Sequence, residues 1–243
     1  GHVGVSRDGG ATWRWIRVRG ALSLDFRGVA AFDSLHAVIC NAGAPASIYR
    51  TFDGGRHWQR VFFCADTAVF IDGIHFLNAR EGIAYGDPVS TAGGQRRFLV
   101  LVTRDGGRSW RRTDTTCMPP ALPGEASFAA SNSGISGIGR GRARDVLWIA
   151  TGGGASRVLR SGDSGCSWTS AVTPMIAGKA SAGIFSVAFR DASQGVVVGG
   201  DYLAPAVRMG NAALTRDGGR TWQPPLVNPG GYRSCVIYVS ADT

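Results

Sequence analysis

SRDGGATW (6–13) is followed by four near copies: TFDGGRHW (51–58), TRDGGRSW (103–110), SGDSGCSW (161–168) and TRDGGRTW (215–222). A catalytic motif is needed once, whereas a motif repeated at near-regular intervals belongs to the architecture. The aspartates Asp8, Asp53, Asp105, Asp163 and Asp217 lie 45, 52, 58 and 54 residues apart, a period that fits a propeller blade. Between the boxes a second similarity runs through IHFLNAREGIAYGDP (74–88), VAFRDASQGVVVGGD (187–201) and, more loosely, VAAFDSLHAVIC (29–40). Each of these reads as two strands joined by a polar turn. The predicted blade is strand A, polar turn, strand B, a glycine-rich loop, strand C, the eight-residue box, and strand D.

The box has a physical reading. Asp-Gly-Gly between two apolar strands makes a tight hairpin turn, in which glycine accepts φ > 0 and the aspartate accepts hydrogen bonds from turn amides. The Ser or Thr two residues before the aspartate bonds to the same turn. The closing tryptophans, Trp13, Trp58, Trp110, Trp168 and Trp222, are large enough to wedge between neighbouring sheets. All five boxes are therefore read as structural, with Ser164 replacing a glycine in the fourth and His57 replacing a hydroxyl residue in the second.

Composition narrows the class. In 243 residues, 44% are hydrophobic and 18% charged, which describes a globular chain, and no run of 18 apolar residues offers a transmembrane segment. The net charge is +9, but 25 of the 26 basic residues are arginine, a ratio better explained by a GC-rich genome than by selection for phosphate. GIGRGRAR (137–144) lacks interleaved aromatics and occupies an A–B turn, so no nucleic-acid partner is expected. The six arginines flanking the box aspartates (Arg7, Arg56, Arg104, Arg108, Arg216 and Arg220) read as a solvated rim. Five cysteines without a CxxC pair or a histidine cluster give no metal site and read as buried free thiols. No GxGxxG opens a predicted helix, so a nicotinamide site has no support and no cofactor is expected.

The pattern S/T-x-D-x-G-x-T/S-W resembles the Asp-box of bacterial neuraminidase repeats, which implies a sialidase-like superfamily. LDFRGVAAFD, FIDGIHFLNAREGIAYGDP, PPALPGEASFAAS, AGKASAGIFSVAFRDASQGVVVGGDY, GNAALTRDGGRTW and GGYRSCVIYV resemble, over nearly the whole chain, the bacterial propellers related to the photosystem II stability and assembly factor. Members of that family often carry the names oxidoreductase or glycosyl hydrolase. The resemblance implies an all-β propeller of four-stranded antiparallel blades and an exported or periplasmic protein. One domain is expected over 1–243, incomplete at both ends, with a partial blade 1–24, blades at 25–68, 69–123, 124–178 and 179–230, and the first strand of a further blade at 231–243.

In such a propeller the loops between blades open on one face around the channel, where function usually lies. The starts of the predicted inner strands place Arg27, Asp72, Glu125, Lys179 and Arg233 there as candidate ligand-binding residues, with Tyr232 beside them. Three readings of this rim compete. A sialidase-like glycoside hydrolase would use Tyr232 as nucleophile, Glu125 to assist it and Asp72 as acid/base. A non-catalytic rim would bind a protein, peptide or glycan. Alternatively, these groups only satisfy backbone and water in the channel. FRGV (26–29) lacks the proline of the Phe-Arg-Ile-Pro signature that opens sialidase domains, and Glu125 and Tyr232 start strands two blades apart. The expectation is therefore binding without turnover, with no catalytic residue assigned.

Overall fold

The computed structural model describes residues 1–139 and 145–239, and no helix occurs among them. The chain is a β-propeller built as an arc of antiparallel sheets. A two-stranded hairpin, β1 (His2–Val5) and β2 (Arg14–Arg17), comes first. Two four-stranded meanders follow: β3 (Asp25–Ala31), β4 (Ala37–Ala42), β5 (Ala46–Thr51) and β6 (Gln59–Cys64), then β7 (Gly73–Phe76), β8 (Gly82–Ser90), β9 (Arg96–Thr103) and β10 (Arg111–Arg112).

The next stretch departs from a simple meander. Between β11 (Glu125–Ala126) and β16 (Thr169–Val172) lie β12 (Ile135–Ile138), β13 (Val146–Ala150), β14 (Gly152–Gly153) and β15 (Arg157–Ser161). Strands β12, β13, β15 and β16 form one sheet, whereas β11 pairs with β14 and joins the sheet of β17 (Ala182–Phe189), β18 (Gly195–Asp201) and β19 (Ala212–Thr215). Glu125 therefore does not start the inner strand of its own blade. The cause is a glycine crossing: a Cβ on Gly152 would stand 2.9 Å from the Gly183 Cα, so only glycine lets the two backbones meet.

Other departures lie at the ends. After β19 the last box is closed by a single bridge, Leu214 to Gln223, instead of a full strand D. Residues 231–239, expected to begin another blade, form no strand; the amide of Arg233 donates to the Gly199 carbonyl at 2.9 Å and that of Val236 to Ser186 Oγ at 3.1 Å. Residues 240–243, and 140–144 of the basic GIGRGRAR tract, lie outside the described residues. The thiols are free, but only Cys40 is buried; Cys64 is half-buried and Cys117, Cys166 and Cys235 are exposed, because a short apolar run in a loop or terminal segment does not ensure burial. All six box-flanking arginines are exposed, and Arg108 and Arg220 turn back onto the carbonyls of Asp105 and Asp217 at 2.9 and 2.6 Å.

The five boxes share one hydrogen-bond pattern. In each, the hydroxyl of the first residue accepts the amide of the fifth, at 2.8 Å from Gly10 to Ser6 and 2.9 Å from Gly55 to Thr51. The aspartate accepts both the amide and the side chain of the seventh residue, for example Ser109 N at 3.0 Å and Ser109 Oγ at 2.6 Å on Asp105. In the second box His57 Nδ1 takes the hydroxyl's place, 2.6 Å from Asp53 Oδ2. Ser164 adopts φ 61° where other copies have glycine, so the turn conformation survives the substitution. Hydrogen bonds from Thr12 hold Asp8 at about 2, below the usual carboxylate range, and those from the amide and side chain of His57 do the same for Asp53.

The lock aims the tryptophan. Trp58 packs against Val18, Ala21, Ile39 and Tyr49, and Trp110 against the cluster holding Val38, Ile48 and Leu101. Trp168 lies with Ile83, Phe98 and Val100, and Trp222 with Val146, Trp148 and Ala150. Trp110, Trp168 and Trp222 thus each sit in a core shared with the sheet before their own, and Trp58 in one shared with the segment that follows β2. Trp13 does not wedge between sheets: it is 58% exposed, against 6% for Trp168, because no sheet precedes β1 among the described residues. Trp168→Ala is expected to cost about 3–5 kcal/mol in chemical denaturation, the range for deleting a large buried aromatic. Trp13→Ala is expected to stay within about 0.5 kcal/mol of the parent.

Candidate functional site

Inner strands β3, β7, β12 and β17 neighbour one another in turn along the arc. The stretch 127–134, expected to be strand, instead runs as a loop along them and ties blades together. Asn132, at φ 58°, accepts the Ile74 amide at 2.8 Å and donates to the Val29 carbonyl at 3.0 Å, so one side chain bridges β7 and β3. Gly28 and Gly73 leave room for it, since a Cβ on either would stand 3.0 Å from its Oδ1. Two of the candidate rim residues, Asp72 and Glu125, are buried in this region.

Glu125 is a structural group. Arg157 grips its carboxylate with two hydrogen bonds, Nε to Oε1 at 2.9 Å and Nη2 to Oε2 at 2.6 Å. The Thr151 hydroxyl donates to Oε1 at 2.6 Å and the Leu122 amide to Oε2 at 2.8 Å. Both side chains of the pair are almost fully buried, and four charge-assisted bonds leave no lone pair turned toward a ligand. The expectation of a rim ligand fails here because β11 is diverted to pair with β14. Arg157 lies in the buried run RVLR; an arginine in such a run is the signal that a buried carboxylate waits across the sheet.

Asp72 sits at the blade-to-blade junction. Its amide donates to the Tyr85 carbonyl at 2.9 Å, which sets its side chain beside Tyr85 and the bulge that carries Asp87. Asp87 Oδ1 accepts the Ser127 amide of the next blade at 2.9 Å, and the Arg96 guanidinium lies near it. Burial, and then the charge of Asp87, push the Asp72 carboxyl well above the usual range. Burial, reinforced by Asp72, pushes the Cys40 thiol up to about 12, so this cysteine is an inert core group.

Three candidates do come together on the open rim of the last blade. Lys179 Nζ lies 3.3 Å from Asp201 Oδ2 with the lysine side chain 65% exposed. Arg233, also exposed, is anchored through its backbone to Gly199 and bonds the Tyr232 carbonyl at 2.8 Å. Tyr232 stands edge-on to Phe185 at 4.9 Å and is seated over Gly200, where a Cβ would approach the Tyr232 Cα to 3.1 Å. Tyr202, which sequence reasoning missed, approaches the same Phe185 at 6.1 Å, and Phe128 stacks on its ring at 3.9 Å. GGDY (199–202) held the signal: an aromatic directly after the glycine-rich B–C loop. Arg27 lies apart, paired with Asp25 at 2.8 Å and donating to the Ala129 carbonyl at 3.2 Å beside Phe128.

The hydrolase constellation is not assembled. Among the described residues no hydrogen bond links Tyr232 to Glu125, whose oxygens are taken by Arg157, Thr151 and Leu122. Partial burial, and then the neighbouring Tyr202, hold the Tyr232 hydroxyl above its ordinary value, away from the phenolate.

No protein-family model and no curated protein sequence matches the chain. Solved structures do. The GH74 enzyme of Niastella koreensis aligns at a TM-score of 0.56 with 14% identity, over 91% of this chain and 33% of that one. YCF48 from Cyanidioschyzon merolae aligns at 0.50 with 18% identity, over 95% of this chain and 68% of that one. These likenesses show the propeller fold. The chain spans about a third of the GH74 enzyme.

Removing one partner of a buried ion pair strands the other, so Glu125→Ala is expected to destabilise by about 3–5 kcal/mol in urea unfolding. The double variant Glu125→Leu/Arg157→Met should recover more than half of that loss, as apolar replacement of both partners removes the stranded charge.

Proposed function

We propose that this chain is a non-catalytic binding propeller, with the rim formed by Lys179, Tyr202, Tyr232 and Arg233 taking a segment of a partner protein or peptide, in the manner of an assembly or stability factor. The carrying observation is the contrast between buried and open candidates. Glu125 is spent on Arg157, whereas Tyr202 and Tyr232 meet the Phe185 ring, Arg233 follows Tyr232 and Lys179 pairs with Asp201, the residue before Tyr202. An exposed and a half-buried tyrosine flanked by an arginine supply contact area at low entropic cost, the combination enriched at protein interfaces. A glycan is the second ligand class this rim suits, because a sugar face packs on an aromatic ring. The five boxes support placing the chain among Asp-box propellers of the sialidase-like superfamily. A glycoside hydrolase remains the alternative function; the binding of both Glu125 oxygens by Arg157, Thr151 and Leu122 opposes it.

The test uses the whole chain with fluorogenic sialosides and aryl glycosides on one side and an array of unstructured peptides and oligosaccharides on the other. Expected are no hydrolysis above background and at least one bound probe whose Kd rises about tenfold in Tyr232→Ala or Arg233→Ala, an interfacial hot-spot loss. Turnover that disappears in Tyr232→Phe would replace this reading with the hydrolase. Binding unaffected by both alanine variants would move the site elsewhere.

A further inference from the structure

The open edge of β1 carries a second docking site, of different chemistry from the rim. In the later sheets every strand that leads into a box is paired on both sides: β5 lies between β4 and β6, β9 between β8 and β10, β15 between β13 and β16, and β19 between β18 and the bridge to Gln223. β1 leads into the first box but pairs with β2 alone among the described residues, so one row of its backbone groups is open along His2–Val5.

A second observation marks the same place. By register with the box, Val29 of β3 holds the position that Ile74, Ile135 and Val187 hold in the other inner strands. Those three are 2%, 3% and 2% exposed, whereas Val29 is 56% exposed. What covers them is the second strand of the preceding sheet. Val38 and Cys40 of β4 share a cluster with Ile74, Ile83 and Tyr85 of β8 with Ile135, and Val146 and Trp148 of β13 with Val187. A strand that covered Val29 would thus be the same strand that paired with the open edge of β1. A cleft of about 570 Å³ lies there, with Val3, Gly4 and Val5 on one wall and Val29 and Ala31 on the other.

The repeat also says what fits. β4, β13 and β18 each pair four residues, antiparallel, with the strand before the box, and those stretches, AVIC, LWIA and GVVV, carry no charge. Alternate side chains of such a strand face the neighbouring sheet, where Val29, Ala31 and Ala37 offer an apolar floor. A second copy paired through its own β1 does not fit. The twofold axis of that pair runs perpendicular to the joined strands, so both β3–β6 sheets would fall on one face and each β1 would have to be covered by two sheets at once. We propose that β1 is a strand-addition site for another polypeptide: an extended, uncharged segment with branched or aromatic side chains at alternate positions adds antiparallel to β1 and covers Val29. Backbone bonds along the edge supply affinity, and the apolar floor supplies selectivity.

The experiment titrates the whole chain into a fluorescein-labelled peptide EGIAYGDP, the sequence of residues 81–88, and into a control peptide carrying Ile83→Asn and Tyr85→Asn. Expected are saturable anisotropy at one peptide per chain and binding of the control weaker by about tenfold. Val29→Asp, or Ala31→Asp should that variant fail to fold, is expected to weaken binding by about tenfold as well, and Tyr232→Ala to leave it unchanged. Hydrogen exchange should slow at alternate amides of β1, those turned away from β2. Equal binding of the control peptide, or no saturable binding, would overturn the site. A loss in Tyr232→Ala with none in Val29→Asp and Ala31→Asp would overturn it by placing the peptide on the rim. Slow exchange at those β1 amides without peptide would also overturn it, showing the edge already paired: by a second copy if sedimentation gives a dimer, by the chain's own residues if it gives a monomer.

Discussion

The architecture depends on the aspartate of the repeated turn. By accepting the amide and the side chain of a residue four positions later, as Asp163 does from Ser167 at 2.8 and 2.6 Å, it closes the C–D hairpin. That closure sets the angle at which the next side chain, a tryptophan, leaves the strand. Three of the five indoles then lie in a core shared with the preceding sheet, and Trp58 in one shared with the segment after β2, so a local hydrogen-bond lock becomes the contact that stacks one blade on the next. The lock tolerates His57 and Ser164 because it needs a donor at one position and a left-handed backbone at another, not particular residues.

The repeats were legible in the sequence because they are local: a turn, its glycine and its closing aromatic lie within eight residues. The propeller followed from their spacing. The placement of Glu125 was not legible, since it depends on Gly152 and Gly183 crossing between blades, a contact between residues far apart in the chain. The same holds for Asp72, whose surroundings come from Cys40 in the preceding sheet and Asp87 on the bulge of β8. An acidic residue at the start of an apolar strand has the same local signature whether it ends on a rim or in a junction. Lys179 and Arg233 were readable as exposed because their neighbours, Gly178 and Gly231 among them, are loop formers.

The carboxylates thereby divide by depth. Those in the boxes are exposed or half-buried, bonded to local amides and held low; Asp72 is buried and held high; Glu125 is neutralised by a buried arginine. The rim of the last sheet sets the exposed Lys179 and Arg233 near the ring cluster of Phe185, and the functional reading rests there and not on the acids that a hydrolase would need.

Native-state hydrogen exchange at the seventh residue of each box tests the central account most directly. The amides of His57, Ser109, Ser167 and Thr221 should exchange only with opening of the blade stack, with protection approaching that of inner-strand amides such as Ile74 and Val187. The amide of Thr12, bonded in the same way but with its tryptophan uncovered, should exchange orders of magnitude faster. Equal protection at all five positions would contradict the account, because it would show that the turn lock alone, without the indole packed on the preceding blade, carries the stability.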